Sequence, residues 1–129
     1  MRLLIDTNRY SDLLAGDRDV VRRFQEATTV WLSVVSIGEL RSGFRRGSRT
    51  AQNEAELREL LDVRGVQALP VDEETAAYYA QTHAYLKDIG ANIPINDVWI
   101  AAQALQHNLV LDTRDSDFER VPGLRLLKS

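Results

Sequence analysis

Four carboxylates carry the chemical promise of this chain. Asp6 stands in Ile5-Asp6-Thr7-Asn8, and Glu39 in Val34-Val35-Ser36-Ile37-Gly38-Glu39-Leu40. Asp97 stands in Ile95-Asn96-Asp97-Val98, and Asp115 in Asp112-Thr113-Arg114-Asp115-Ser116-Asp117-Phe118. Gathering such groups in one place is costly, because like charges repel and raise each other's pKa. A divalent cation removes that cost, and ligands that are all oxygen select hard ions, Mg2+ or Mn2+. Such an ion lowers the pKa of bound water and neutralises charge on a phosphoryl oxygen, which is the chemistry of phosphodiester hydrolysis.

Each acid also has a local explanation. Asp6 can cap the helix that follows it. Ser36-Ile37-Gly38-Glu39 reads as a capping box. Asp97 opens a helix whose cap is Asn96, and the helix dipole favours an acid there. Asp115 and Asp117 are suited to a turn before Phe118. Taken singly, capping is the simpler account of Asp6 and Glu39. It leaves unexplained why all four acids fall at strand ends or helix starts.

The elements that must position them follow from periodicity. Residues 2–6 and 30–35 are apolar runs expected to be strands, as are the short runs 66–69, 109–111 and 124–126. Helices are expected over 8–15, 18–27, 37–46, 50–63, 73–89 and 97–107. The 73–89 helix places Ala76, Ala80 and Ala84 on one face, with Asp72 as its cap and Gly90 as its end. The 97–107 helix carries Val98, Ala101, Ala102 and Leu105 as its apolar stripe. Strands alternating with helices imply an α/β fold with a central, mainly parallel sheet flanked by helices. Ligands in such folds sit beyond the carboxyl ends of the strands.

A chain of 129 residues suits a single domain over 1–129, and no linker or repeat divides it. The absence of cysteine excludes disulfides, thiolate metal sites and cysteine nucleophiles. The apolar run at Leu3 to Ile5 is too short for a signal peptide or a membrane span, so a cytoplasmic protein is expected. The net charge of −3 does not announce a nucleic-acid binder. The positive charge is nevertheless clustered, at Arg41, Arg45, Arg46 and Arg49 and again at Arg18, Arg22 and Arg23. Both clusters read either as solvated helix faces or as a basic rim around an acidic site. His83 and His107 fit structural or surface roles, and Trp31 and Trp99 fit the core. No serine has His and Asp partners at the spacing of a serine hydrolase.

Four segments in order resemble the PIN domain, and more closely the VapC toxins of VapBC toxin–antitoxin modules. They are Leu4 to Asn8, Ser33 to Gly43, Ile95 to Ala102 and Thr113 to Leu124. The resemblance implies that Asp6, Glu39 and Asp97 hold the metal, with Asp115 as a more variable fourth acid. It implies that Thr7, Asn8 and Thr113 orient the carboxylates, and that Asp117 supports its loop. It implies a metal-dependent endoribonuclease that leaves a 5′ phosphate on the downstream product. The substrate would be a structured RNA such as tRNA, whose cleavage stops translation. A homodimer and a VapB-like antitoxin that blocks the site are implied as partners. Arg41 and Arg45 are candidates for RNA backbone contacts.

Two positions depart from the pattern. Asp112 stands where related sequences carry an apolar residue, and Leu126-Leu127-Lys128-Ser129 ends the chain without the Trp of many relatives. Two rival readings remain. The first is a non-catalytic interaction module of the same fold, acting through antitoxin binding and operon autoregulation; the intact acids argue against it. The second is a phospho-acceptor receiver domain. It would need paired acids at the first strand and a lysine after a late one, whereas the lysines here are Lys87 and Lys128.

Overall fold

The structure is a computed structural model, and it describes residues 1–127. Lys128 and Ser129, which complete the tail noted above, lie outside the described residues. Five strands, β1 (Arg2–Ile5), β2 (Thr29–Ser33), β3 (Val66–Leu69), β4 (Val110–Asp112) and β5 (Arg125–Leu127), form one sheet in the order β3-β2-β1-β4-β5. Every pairing is parallel. The helices are α1 (Thr7–Leu14), α2 (Arg18–Glu26), α3 (Val34–Arg46), α4 (Thr50–Leu61), α5 (Glu73–Asp88) and α6 (Ile95–His107), and a 3-10 turn spans Ser116–Arg120.

Alternation along β1 sends neighbouring side chains to opposite faces. Leu4 packs with Val98, Ile100, Ala101, Leu111 and Phe118 in one core. Ile5 packs with Tyr10, Leu32, Leu40, Leu57 and Leu60 in the other. The sheet is therefore covered on both faces, as a parallel sheet requires. Strand order reverses between β1 and β4, which is where an open α/β sheet forms a crevice at its carboxyl edge. Asp6 follows β1 and Thr113 follows β4, so the two flank that crevice. Among the described residues no helix is long and apolar enough to cross a membrane.

Several local expectations are corrected. The residues Val34 and Val35 belong to α3 rather than to β2, because Ser33 Oγ accepts from Val35 N at 3.0 Å and starts the helix early. Ser36 consequently lies inside α3, buried, and forms no capping box with Glu39. Helix α6 starts at Ile95 behind Pro94, so Asn96 is not its cap. The alanine face of α5 is exposed; the helix is instead held by Thr75, Thr82 and Leu86. At the start of α5, Asp72 does cap, in a reciprocal box with Thr75. Gly90 ends that helix at φ +71°, a left-handed conformation that glycine adopts without a Cβ penalty.

One buried polar side chain ties the layers together. Gln103 of α6 donates to the carbonyls of Leu69 and Pro70, each at 3.1 Å, and accepts from Ser33 Oγ. It thus links α6 to the carboxyl ends of β2 and β3.

Candidate active site

Asp6 is 5% exposed and does two jobs. Its Oδ1 accepts from Thr7 N at 2.8 Å, the capping bond that starts α1. Its Oδ2 accepts from Thr113 Oγ1 at 2.8 Å and Asn8 Nδ2 at 3.3 Å. Capping and membership of the cluster are therefore compatible, since a carboxylate has lone pairs for both.

The same network reaches the other acids. Thr7 Oγ1 donates to Glu39 Oε1 at 3.5 Å, the long end of a hydrogen bond. Thr113 Oγ1 accepts from Asn8 Nδ2 at 3.4 Å and from Asp115 N at 3.0 Å. Asp115 Oδ1 in turn accepts from Asp117 N at 2.9 Å, which makes it the cap of the 3-10 turn. Asn8 Oδ1 accepts from Arg114 N at 3.2 Å. Thr7, Asn8 and Thr113 thus brace carboxylates delivered by β1, α3 and the loop after β4.

Asp97 joins through its charge. Burial first, and then the carboxylates of Asp6, Asp115, Glu39 and Asp117, together raise its pKa from 3.8 to about 7. Those five acids, scattered from position 6 to 117, therefore lie close enough to act on one another's charge. Burial also raises Asp6, the hydrogen bonds from Thr113 and Thr7 pull it back, and Asp115 raises it again. Among the described residues no three acidic or histidine side chains are already drawn into a coordinating cluster. Carboxylates that repel one another are expected to stand apart in this way.

The raised groups carry a pH signature. Between pH 4 and 7 the folded protein holds a proton on Asp97 that the unfolded chain has released. Without divalent ions, stability should fall as pH rises through this window. Asp97 is half-buried, so solvent screening leaves about 1–2 kcal/mol of the effect. Urea unfolding in EDTA at pH 5 and pH 8 measures it, and Asp97→Asn should remove most of the slope.

The basic residues are placed differently from the acids. Arg41 Nε lies 3.1 Å from the Glu54 carboxylate and lines a groove between α3 and α4 with Leu57 and Arg58. Arg45 is one turn further along and exposed. Neither lines the surface that carries Glu39. Arg46 does, with Ser42, Gly38, Val34, Val35 and Asn96. The spacing 39, 42, 46 is a single helical face, and counting from Glu39 would have picked out Arg46.

Two aromatic rings and a histidine form a stack between α5 and α6. Tyr79 stacks on Trp99 with ring centroids 4.0 Å apart, and His83 stacks on Tyr79 at 5.5 Å.

The chain matches the PIN-domain family over residues 3–124. It is 35% identical to ribonuclease VapC5 of Mycobacterium tuberculosis, over 70% of this chain and 67% of the relative. It is 32% identical to VapC ribonuclease Y4jK of Sinorhizobium fredii, over 97% of this chain and 95% of the relative. Its fold superposes on that of VapBC-1 from nontypeable Haemophilus influenzae with a TM-score of 0.89. There the identity is 26%, over 99% of this chain and 98% of that one.

Proposed function

This chain belongs to the PIN-domain family, and on that premise we propose that it is a VapC-type endoribonuclease, the toxin of a toxin–antitoxin pair. The observation that carries the reading is the gathering of Asp6, Glu39, Asp115 and Asp117 around Asp97, with Thr7 and Thr113 bridging the first three. Burial and mutual repulsion there oppose ionisation, which is the electrostatic demand that a divalent cation meets. The donors are all oxygen, so they fit Mg2+ or Mn2+. Asp6, Glu39, Asp97 and Asp115 would hold the ion. When bound, it supplies a Lewis acid that lowers the pKa of water and neutralises charge on the phosphoryl oxygen.

The chain's own residues prepare the pocket. Thr7 N and Thr113 Oγ1 fix the Asp6 carboxylate from two sides, so it is oriented before any ligand arrives. Asp117 N holds Asp115 by one oxygen and leaves the other for the pocket. Asp97 carries a proton near neutral pH in the absence of a cation and releases it when positive charge enters. Activity should therefore rise with pH through the region near 7.

The reading includes an antitoxin that covers the site, a homodimeric toxin, a cytoplasmic location and a structured RNA such as tRNA as substrate. The relatives' names support the ribonuclease activity. The likeness to VapBC-1 supports an antitoxin partner.

The test is cleavage of an RNA pool containing tRNA by the purified chain, with Mg2+ or Mn2+ and then with EDTA. Cleavage that needs the ion and leaves a 5′ phosphate downstream is expected. Cleavage that persists in EDTA and leaves 2′,3′-cyclic phosphate ends would overturn the metal-dependent reading.

A further inference from the structure

Thr113 holds the Asp6 carboxylate, and the residues on either side of it are both tied to α1. Before it, Asp112 Oδ1 accepts from Arg9 Nε at 3.0 Å. After it, Arg114 Nε donates to Asp12 Oδ2 at 2.9 Å. Arg9 Nη1 donates to that same Asp12 oxygen at 3.0 Å. Asp112, Arg9, Asp12 and Arg114 thus form a chain of alternating charges. It leaves the end of β4, passes over α1 and returns to the loop that carries Asp115. We propose that Asp12 is a positioning residue for the metal site: through Arg114 it fixes the loop that delivers Asp115, and so sets how tightly the acids hold a divalent cation. The inference rests on the nuclease reading above and adds to it a residue that acts only through its neighbours.

Two features of the geometry carry it. The first is that Asp12 is itself held. Arg9 is 2% exposed and Asp112 1%, so the guanidinium behind Asp12 is locked in the interior by a second carboxylate. Asp12 has therefore lost its rotational freedom before it meets Arg114, and an oriented acceptor loses little more on making its second bond.

The second is that α1 grips the loop at two points. The backbone N of Arg114 donates to Asn8 Oδ1 at 3.2 Å, and its side chain reaches Asp12. Asn8 and Asp12 are four residues apart and share one face of α1. A single hydrogen bond would let the loop swivel, whereas two on one helix face do not. Asp115's own hydrogen bonds, from its N to Thr113 Oγ1 and from Asp117 N to its Oδ1, lie within the segment after β4. They shape that segment without setting it against α1. Phe118, fully buried, anchors the far end of the loop; Asn8 and Asp12 anchor the near one. The Arg114 side chain is 55% exposed, and an ion pair so open to water contributes little to folding. Its consequence is the direction in which Asp115 faces the other acids.

Binding of Mn2+ to the purified chain, read from the electron paramagnetic resonance signal of the unbound ion, is the test. Arg114→Ala is the decisive variant. By charge alone, removing a cation from the site loop tightens Mn2+ binding. Removing a positioning contact weakens it, and a loss of about fivefold is expected, below the effect of a group that bonds a ligand directly. Asp12→Ala should weaken binding to a similar degree, and the double variant should bind no more weakly than either single one, because both break the same contact. Arg114→Lys keeps a cation that reaches Asp12 and should restore most of the affinity. Thermal unfolding in EDTA supplies the second readout. The Arg114 variants should unfold with the wild type, whereas Asp12→Ala should unfold earlier, since buried Arg9 loses a partner. The two single variants would then match in ion affinity while differing in stability, which a purely structural role does not give. If Arg114→Ala binds Mn2+ as tightly as the wild type or more tightly, or if the losses of the two single variants multiply in the double one, the positioning role is wrong even where Asp97→Asn abolishes binding. If the wild type binds no Mn2+, the metal-dependent reading fails and the positioning role fails with it.

Discussion

Asp97→Asn and Asp6→Asn should each lower RNA cleavage about a thousandfold while leaving the protein folded. A factor of this size corresponds to about 4 kcal/mol of transition-state stabilisation, within what a divalent cation supplies at a phosphoryl centre. The amide keeps the volume of the carboxyl but cannot bind a hard cation as an anion does. At position 97 the substitution also mimics the protonated acid that the pocket prefers, since burial and four neighbouring carboxylates oppose its charge. Asp97→Asn should therefore unfold at a temperature equal to or above that of the wild type in EDTA. The same variant should lose the stabilisation that millimolar Mg2+ or Mn2+ confers on the wild type through linkage. At position 6 the amide still accepts from Thr7 N through its oxygen, but its nitrogen cannot accept the Thr113 hydrogen bond, so a modest loss of stability is expected there. Single-turnover cleavage and thermal unfolding on the same preparations separate the two effects. Undiminished cleavage by both variants would remove the acids from the chemistry.

The placement of the acids was legible in part because Asp6 and Asp115 follow β1 and β4 and Glu39 lies in the helix after β2, and in a parallel sheet all strand ends share one edge; Asp97 comes instead from the first turn of α6, after a helix. Type and order of the elements were legible for the same reason, as apolar runs and helical stripes survive without tertiary knowledge. What escaped was settled by single side chains reaching across the fold. Ser33 ends β2 as the sequence leads one to expect, but its hydroxyl also caps α3 and engages Gln103 of another helix, which no local pattern announces. The alanines of α5 form a clean face by spacing. Thr75, Thr82 and Leu86 form the buried one, and only packing distinguishes a face of small residues in solvent from one in a core. Arg41 and Arg46 look equivalent in sequence. Their difference comes from Glu54, delivered by a neighbouring helix, which claims the first and not the second.

Asp112 makes this point with the largest energetic consequence. By sequence it was an unexplained extra charge beside the site. The structure turns it inward at 1% exposure, between Arg9 and Arg23. Arg9 Nε reaches its Oδ1 at 3.0 Å, and Arg23 reaches both oxygens, Nε to Oδ2 at 2.8 Å and Nη2 to Oδ1 at 3.0 Å. The hydrogen bond to Asp112 holds Arg23 more firmly charged than usual. Arg9 is itself 2% exposed and also pairs with Asp12 at 3.0 Å, and Asp12 in turn holds Arg114 of the site loop at 2.9 Å. Asp112→Ala would leave a buried guanidinium facing a cavity. Removing one partner from a buried pair costs about 3–5 kcal/mol, because the other charge stays behind uncompensated. At this chain length that lowers the unfolding temperature by roughly 10–20 °C. The acids that crowd Asp97 do not include Asp112, so at low temperature, where the variant is still folded, cleavage should fall only a few-fold. Replacing Arg9 and Arg23 by Met and Asp112 by Leu together should recover much of the stability that Asp112→Ala loses, since the buried charges then leave as a unit. Urea unfolding of the two variants beside the wild type measures this. An Asp112→Ala protein within about 1 kcal/mol of wild type would mean that the buried ion group contributes little, and that the β1–β4 backbone ladder and the hydrogen bonds of Asn8 and Asp12 to Thr113 and Arg114 hold α1 against the end of β4.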